Sequence, residues 1–91
     1  MKYKIFLHPK AAEFLKNLNS SLRIMIKNRL RELEESPEKR GQRLRYSSFY
    51  RLRIGDYRAI YEINREEGRV IVLFIGHRRT VYDDFSRIFL M

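Results

Sequence analysis

Residues 50–61 read YRLRIGDYRAIY, and their pattern decides the fold. Two alternating segments flank Gly55-Asp56. Glycine at the first central position permits the positive φ of a type II′ hairpin turn. A two-residue turn then sets the register: Ile54 faces Tyr57, Arg53 faces Arg58, Leu52 faces Ala59 and Arg51 faces Ile60. Side chains alternate across a strand, so Arg51, Arg53 and Arg58 share one face. Tyr50, Leu52, Ile54, Tyr57, Ala59 and Tyr61 take the other. Like charges directly opposite destabilise a sheet. A chain that sets Arg53 against Arg58, with Arg51 beside them, has an anion as its natural counterpart.

Working outward, Lys2 to His8 alternates and reads as a first strand. Pro9 suits the first turn of a helix, and Ala11, Phe14, Leu15 and Leu18 recur at helical spacing over about 10–18. Asn19-Ser20 breaks that helix, and Ser20 or Ser21 can cap the next. There Leu22, Met25, Ile26, Leu30 and Leu33 form one apolar stripe, ended by Ser36-Pro37. Residues 37–47 are polar, basic and without periodicity, which reads as a loop. The hairpin over 49–63 supplies two strands. Arg69 to Ile75, apolar at nearly every position, supplies a fourth that is central or covered on both faces. Gly76 ends it, His77 to Asp84 reads as a polar coda, and Phe85 to Leu90 as a short helix or docking tail. The order β-α-α-β-β-β predicts an α+β domain: a small, mainly antiparallel four-stranded sheet with an N-terminal helical hairpin on one face. The arginine face is expected to stay open.

The 91 residues suffice for a single domain over 1–91 with a small core. There is no cysteine, hence no disulfide staple, which suits a reducing compartment. The longest apolar run, Val70 to Ile75, is far shorter than the ~20 residues of a membrane span. No signal-peptide block follows the charged N-terminus, so a soluble cytoplasmic protein without membrane partners is expected. The formal net charge is +9, with 14 Arg and 6 Lys. Between Lys39 and Arg53 there are six basic residues and no acidic one. Such a field favours nucleic acid, an anionic surface or an acidic protein. Arginine in place of lysine favours phosphate, because a guanidinium binds two oxygens at once. Lys39, Arg40, Arg43, Arg45 and, further on, Arg79 are the candidate RNA contacts.

His8 and His77 are the only histidines, the carboxylates form no ligand set, and no metal or other cofactor is expected. There is no Gly-rich phosphate loop, and nothing places Ser47, Ser48 or Ser86 in a nucleophile elbow. What remains is arginines, Tyr82 and His77. That set can cleave RNA by attack of a 2′-hydroxyl on the adjacent phosphate. Arginines neutralise the charge building on phosphorus, while a base takes the 2′ proton and an acid protonates the 5′ oxygen. Histidine titrates near neutrality, so His77 is a candidate for either job. Tyr82 can donate a proton or stack on a base.

YRLRIGDYRAIYEI, the buried apolar strand and the downstream IGHRRTVYDDF, with the opening KYKIFLHPKAAEFLKNL, together resemble the RelE/ParE toxin superfamily, most closely its RelE branch. The resemblance spans nearly the whole chain. It implies a ribosome-dependent messenger-RNA endonuclease that acts by 2′-hydroxyl attack, inhibits translation and is neutralised by an acidic RelB-like antitoxin. A toxin–antitoxin heterotetramer is compatible with such a pair. The family's basic positions fall on Arg51, Arg53 and Arg58, its arginine after the last strand on Arg78 or, one residue on, Arg79, and its tyrosine on Tyr82. The best-studied branch carries lysines where this chain has Arg51 and Arg53. A guanidinium hardly ever gives up its proton, so the general base is left to His77 or to the ribosome. Two other functions fit the same resemblance and charge: a ParE-like inhibitor of DNA gyrase, and a non-catalytic binder of RNA or ribosomes.

Overall fold

The hairpin forms in the expected register. In the computed structural model, which describes residues 2–90, β3 (Tyr50–Ile54) pairs antiparallel with β4 (Tyr57–Asn64), and Arg53 lies opposite Arg58. Gly55 takes φ +58° at the turn, as a type II′ turn requires. β5 (Arg69–His77) continues the meander against β4. β1 (Lys4–Leu7) lies parallel to the first half of β5. A fifth strand, β2 (Gln42–Arg43), pairs with the outer edge of β3, giving the order β1-β5-β4-β3-β2. The α+β class stands, with five strands instead of four.

The helical hairpin also forms. α1 (Pro9–Lys16) starts with the His8 ring accepting from the Lys10 amide at 3.0 Å. α2 (Ser20–Arg31) is capped by Asn19, whose Oδ1 accepts from the Leu22 amide at 2.9 Å, so Asn19 takes the role expected of Ser20 or Ser21. A 3₁₀ turn, Glu32–Glu34, follows. Ala11, Leu15, Ile26, Leu30 and Leu33 pack on Leu52, Ile54, Ala59, Tyr61, Val70, Val72 and Ile75 to form the main core. Each large aliphatic side chain buried there contributes roughly 1.5–3 kcal/mol. Met25, expected in that stripe, is 42% exposed: the stripe runs through Leu22, Ile26 and Leu30, and Met25 lies on its shoulder.

Residues 37–47 are more ordered than their composition suggests. Pro37 opens a single-turn helix, α3 (Pro37–Arg40), directly before β2. The buried Tyr61 hydroxyl donates to the Pro37 carbonyl at 2.7 Å, tying α3 to the middle of the sheet.

The largest departure is at the C-terminus. α4 (Val81–Phe89) begins inside the expected coda and folds onto the arginine side of the sheet. Val81 and Phe85 pack with Ile60 and Leu73, flanked by Leu44, Phe49, Ile71, Phe74 and Phe89. The arginine face is therefore covered over β5 and open over β2, β3 and the start of β4. Gly76 does not end β5; it sits within it, because α4 approaches so closely that a Cβ there would lie 3.2 Å from a Val81 methyl. β5 also carries a bulge at Leu73: Ile60 faces Phe74 while Tyr61 faces Val72. One extra residue flips the alternation beyond it.

Candidate functional site

Gln42, Arg51, Arg53 and Arg58 project from three adjacent strands onto one face, as the pairings Gln42–Arg51 and Arg53–Arg58 require. With Arg40 and Gly41 they line a cavity of about 270 Å³. No carboxylate lines it. Four guanidiniums and one amide face a common space without an internal anion.

Each arginine is held differently. Arg51 donates from Nη2 to Gln42 Oε1 at 2.5 Å and from Nη1 to the Tyr82 hydroxyl at 3.2 Å. Its guanidinium also lies 6.0 Å from the centroid of the Tyr82 ring. Arg58 is 9% exposed, and its Nη1 donates to the carbonyls of Gly55 and Tyr57 at 2.7 and 2.8 Å. It bridges the hairpin turn while its charge stays unneutralised by any carboxylate among the described residues. Arg53 is exposed, and among the described residues its guanidinium has neither a hydrogen bond nor an ion pair. Its backbone is fixed: Arg29 of α2 donates from Nη2 to the Arg53 carbonyl at 2.7 Å and pairs with Glu32.

Gly41 and Gln42 belong to the site and were not legible as site residues. Any side chain at Gly41 would run into the Tyr61 hydroxyl and the Arg51 carbonyl. That close approach brings β2 against β3 and sets Gln42 beside Arg51.

The remaining candidates are divided by the fold. Tyr82, on the first turn of α4, reaches the site through Arg51. Arg78 stands at the hairpin tip, where its amide donates to the Asp56 carbonyl at 2.8 Å and its Nε lies 3.6 Å from the Asp56 carboxylate. Arg79 is exposed beyond β5. His77 lies on the opposite face. It pairs with Tyr57, packs edge-on to that ring at 5.8 Å, and accepts the Arg79 amide on Nδ1. The Leu73 bulge is the cause, because unbroken alternation from Val70 would have put His77 on the arginine side. Arg40 lines the cavity, whereas Lys39, Arg43 and Arg45 are exposed on the same basic segment.

The model of the ParE toxin of type II toxin–antitoxin systems (parDE) matches residues 5–82. The chain belongs to the RelE/ParE toxin superfamily. Solved RelE toxins share its fold. The toxin–antitoxin complex RelBE2 from Mycobacterium tuberculosis is 25% identical with a TM-score of 0.79, over 86% of this chain and 100% of that one. The intact E. coli RelBE complex is 29% identical with a TM-score of 0.71, over 82% and 95%. The archaeal RelE–RelB complex from Pyrococcus horikoshii is 27% identical with a TM-score of 0.72, over 86% and 97%. A search of curated proteins gives no match. Among the described residues of this RelE-like toxin, no helix is long and apolar enough to cross a membrane.

Proposed function

We propose that this toxin is a ribosome-dependent messenger-RNA endonuclease and that the open half of the arginine face is its active site. One observation carries the proposal: a cavity lined by Arg40, Arg51, Arg53 and Arg58 holds no carboxylate, with a tyrosine hydroxyl on its rim. Such a site suits a phosphate passing through a more highly charged transition state. A single preorganised donor of this kind contributes roughly 3 kcal/mol.

In the proposed reaction the 2′-oxygen attacks the adjacent phosphorus and the bond from phosphorus to the 5′ oxygen breaks. The 2′ proton leaves to a base, and the departing 5′ oxygen takes a proton. The products are a 2′,3′-cyclic phosphate and a 5′-hydroxyl. Arg51 and Arg53 neutralise the equatorial oxygens. Arg58 is the rigid member, because its Nη1 is committed to the two turn carbonyls. Arg51 donates to the Tyr82 oxygen, which leaves the hydroxyl's own proton available for the leaving group. No residue lining the cavity is a carboxylate or an imidazole, so the base comes from ribosomal RNA. Free message is then a poor substrate, and cleavage depends on the ribosome.

The neighbouring RelE toxins crystallise with RelB antitoxins, and a partner of that kind is proposed here: an acidic antitoxin with amphipathic helices, in the cytoplasm. It covers the arginines or displaces α4, whose Ile88 and the following Leu90 are 40% and 58% exposed. The ParE name of the matching model favours one second reading, inhibition of gyrase. A purified translation reaction separates them. The nuclease reading expects primer-extension stops in ribosome-bound message only, lost in Arg53→Ala. Intact message with normal translation supports gyrase, and intact message with arrested translation supports a non-catalytic binder.

A further inference from the structure

The tip between β2 and β3 carries a tyrosine that the proposed reaction does not use. Tyr46 is 94% exposed, and its backbone sits at φ +59°. Left-handed backbone is unfavourable for a bulky side chain, so a solvent-facing tyrosine there is costly on two counts. The loop around it is nonetheless tightly built. The Leu44 amide donates to the Phe49 carbonyl at 2.8 Å, Arg43 Nε to the Ser47 carbonyl at 2.7 Å, and Ser47 Oγ to the Leu44 carbonyl at 3.0 Å. The Phe49 amide returns to Ser47 Oγ at 3.1 Å, and Leu44 and Phe49 are anchored under α4. The Arg45 guanidinium lies 5.4 Å from the centroid of the Tyr46 ring.

This loop joins the two strands that frame the arginine cavity, since Gln42 pairs with Arg51 and Arg43 with Tyr50. Its tip follows directly on the Arg43–Tyr50 pair, one ladder step beyond Gln42 and Arg51. Sequence-tolerant binding of single strands combines a cationic groove with aromatic faces on which bases stack, and both parts are present here in one continuous stretch.

We propose that Tyr46, backed by Arg45, is a stacking platform for a base of the single-stranded RNA whose phosphate the arginine cavity holds. This rests on the RNA reading of that cavity and adds a positioning residue outside it. A π face is what matters, so phenylalanine or tryptophan serves at this position and a small residue does not.

The chain has no tryptophan, so Tyr46→Trp supplies a single fluorescent reporter in the full-length protein. The probe is a 2′-O-methyl RNA oligonucleotide, which cannot be cut, alongside the same backbone carrying abasic residues. The expected result is quenching of the introduced indole by the base-bearing strand and little by the abasic one. Tyr46→Gly should bind the base-bearing strand about fivefold or more weakly. Its melting temperature should rise, because glycine removes the φ strain. Loss of binding with higher stability cannot be put down to a damaged fold. Fluorescence unchanged while anisotropy reports binding overturns the platform and leaves the arginine cavity standing. Absence of any binding at low salt overturns it too, and ribosomal cleavage by the parent protein then shows whether the nuclease reading survives. An indole spectrum that shifts only with an antitoxin also overturns it, and reassigns Tyr46 to a protein contact.

Discussion

Arg53→Gln and Arg58→Gln should part in stability while failing together in activity. Arg53 is exposed, unpartnered among the described residues and opposite another arginine. Like-charge cross-strand pairs cost about 0.2–1 kcal/mol, so replacing Arg53 leaves stability unchanged or raises it by up to about 1 kcal/mol. Arg58 is buried and bonded to two turn carbonyls. Hydrogen bonds from charged groups contribute about 1.5–3 kcal/mol, and water can replace part of this at the exposed Gly55 carbonyl. The net loss is about 2 kcal/mol. At about 4–8 °C per kcal/mol for a domain of this size, the Tm falls by roughly 8–16 °C. The assay is thermal melting with and without phosphate. At phosphate about 100 times its dissociation constant, a native-state anion site adds about 2.7 kcal/mol. That gain should be largest in the parent protein and much smaller in Arg53→Gln. An Arg53→Gln protein less stable than the parent by more than about 1 kcal/mol, or stabilised equally by phosphate, would refute the view of this face as an anion site.

Gly41→Ala forces β2 away from Arg51 and Tyr61; overpacking of this kind costs about 1–3 kcal/mol, read by denaturant unfolding, and activity should drop because Gln42 no longer braces Arg51. Tyr82→Phe removes the hydroxyl that Arg51 contacts. Single-turnover cleavage should slow by about 10²–10⁴ with little change in melting, and an unchanged rate would remove Tyr82 from the reaction. Burial, reinforced by the neighbouring Tyr50, pushes the Tyr61 phenol well above its ordinary value of 10.0. The folded chain therefore holds that proton more tightly than the unfolded chain does. Stability from this group is complete below pH 10 and falls as pH rises beyond it, by up to about 1.4 kcal/mol per unit. Melting curves from pH 9 to 11 should decline less steeply in Tyr61→Phe.

Much of the fold was legible because local chemistry and global packing agree. Gly55-Asp56 between alternating segments dictates one register, and that register puts Arg51, Arg53 and Arg58 together. The spacing of Ala11, Phe14, Leu15, Ile26 and Leu30 likewise specifies the helical layer. What escaped notice lacks a local signal. β2 is two residues long, too short for alternation to register, yet it completes the cavity with Gln42. The Leu73 bulge is invisible in a continuous apolar run, and it alone decides which face receives His77. α4 did leave a trace: Val81, Phe85 and Phe89 recur every four residues, and Ile60 and Leu73 are apolar residues on the arginine side that they cover. The polar residues between them masked that spacing.

The most direct test of the central claim is a programmed ribosome carrying message with a single 2′-deoxynucleotide at the mapped cleavage position. If the message's own 2′-hydroxyl is the nucleophile, that position stays intact while an all-ribose message is cut there to a 2′,3′-cyclic phosphate. Cleavage of the 2′-deoxy message at the same bond would contradict the account.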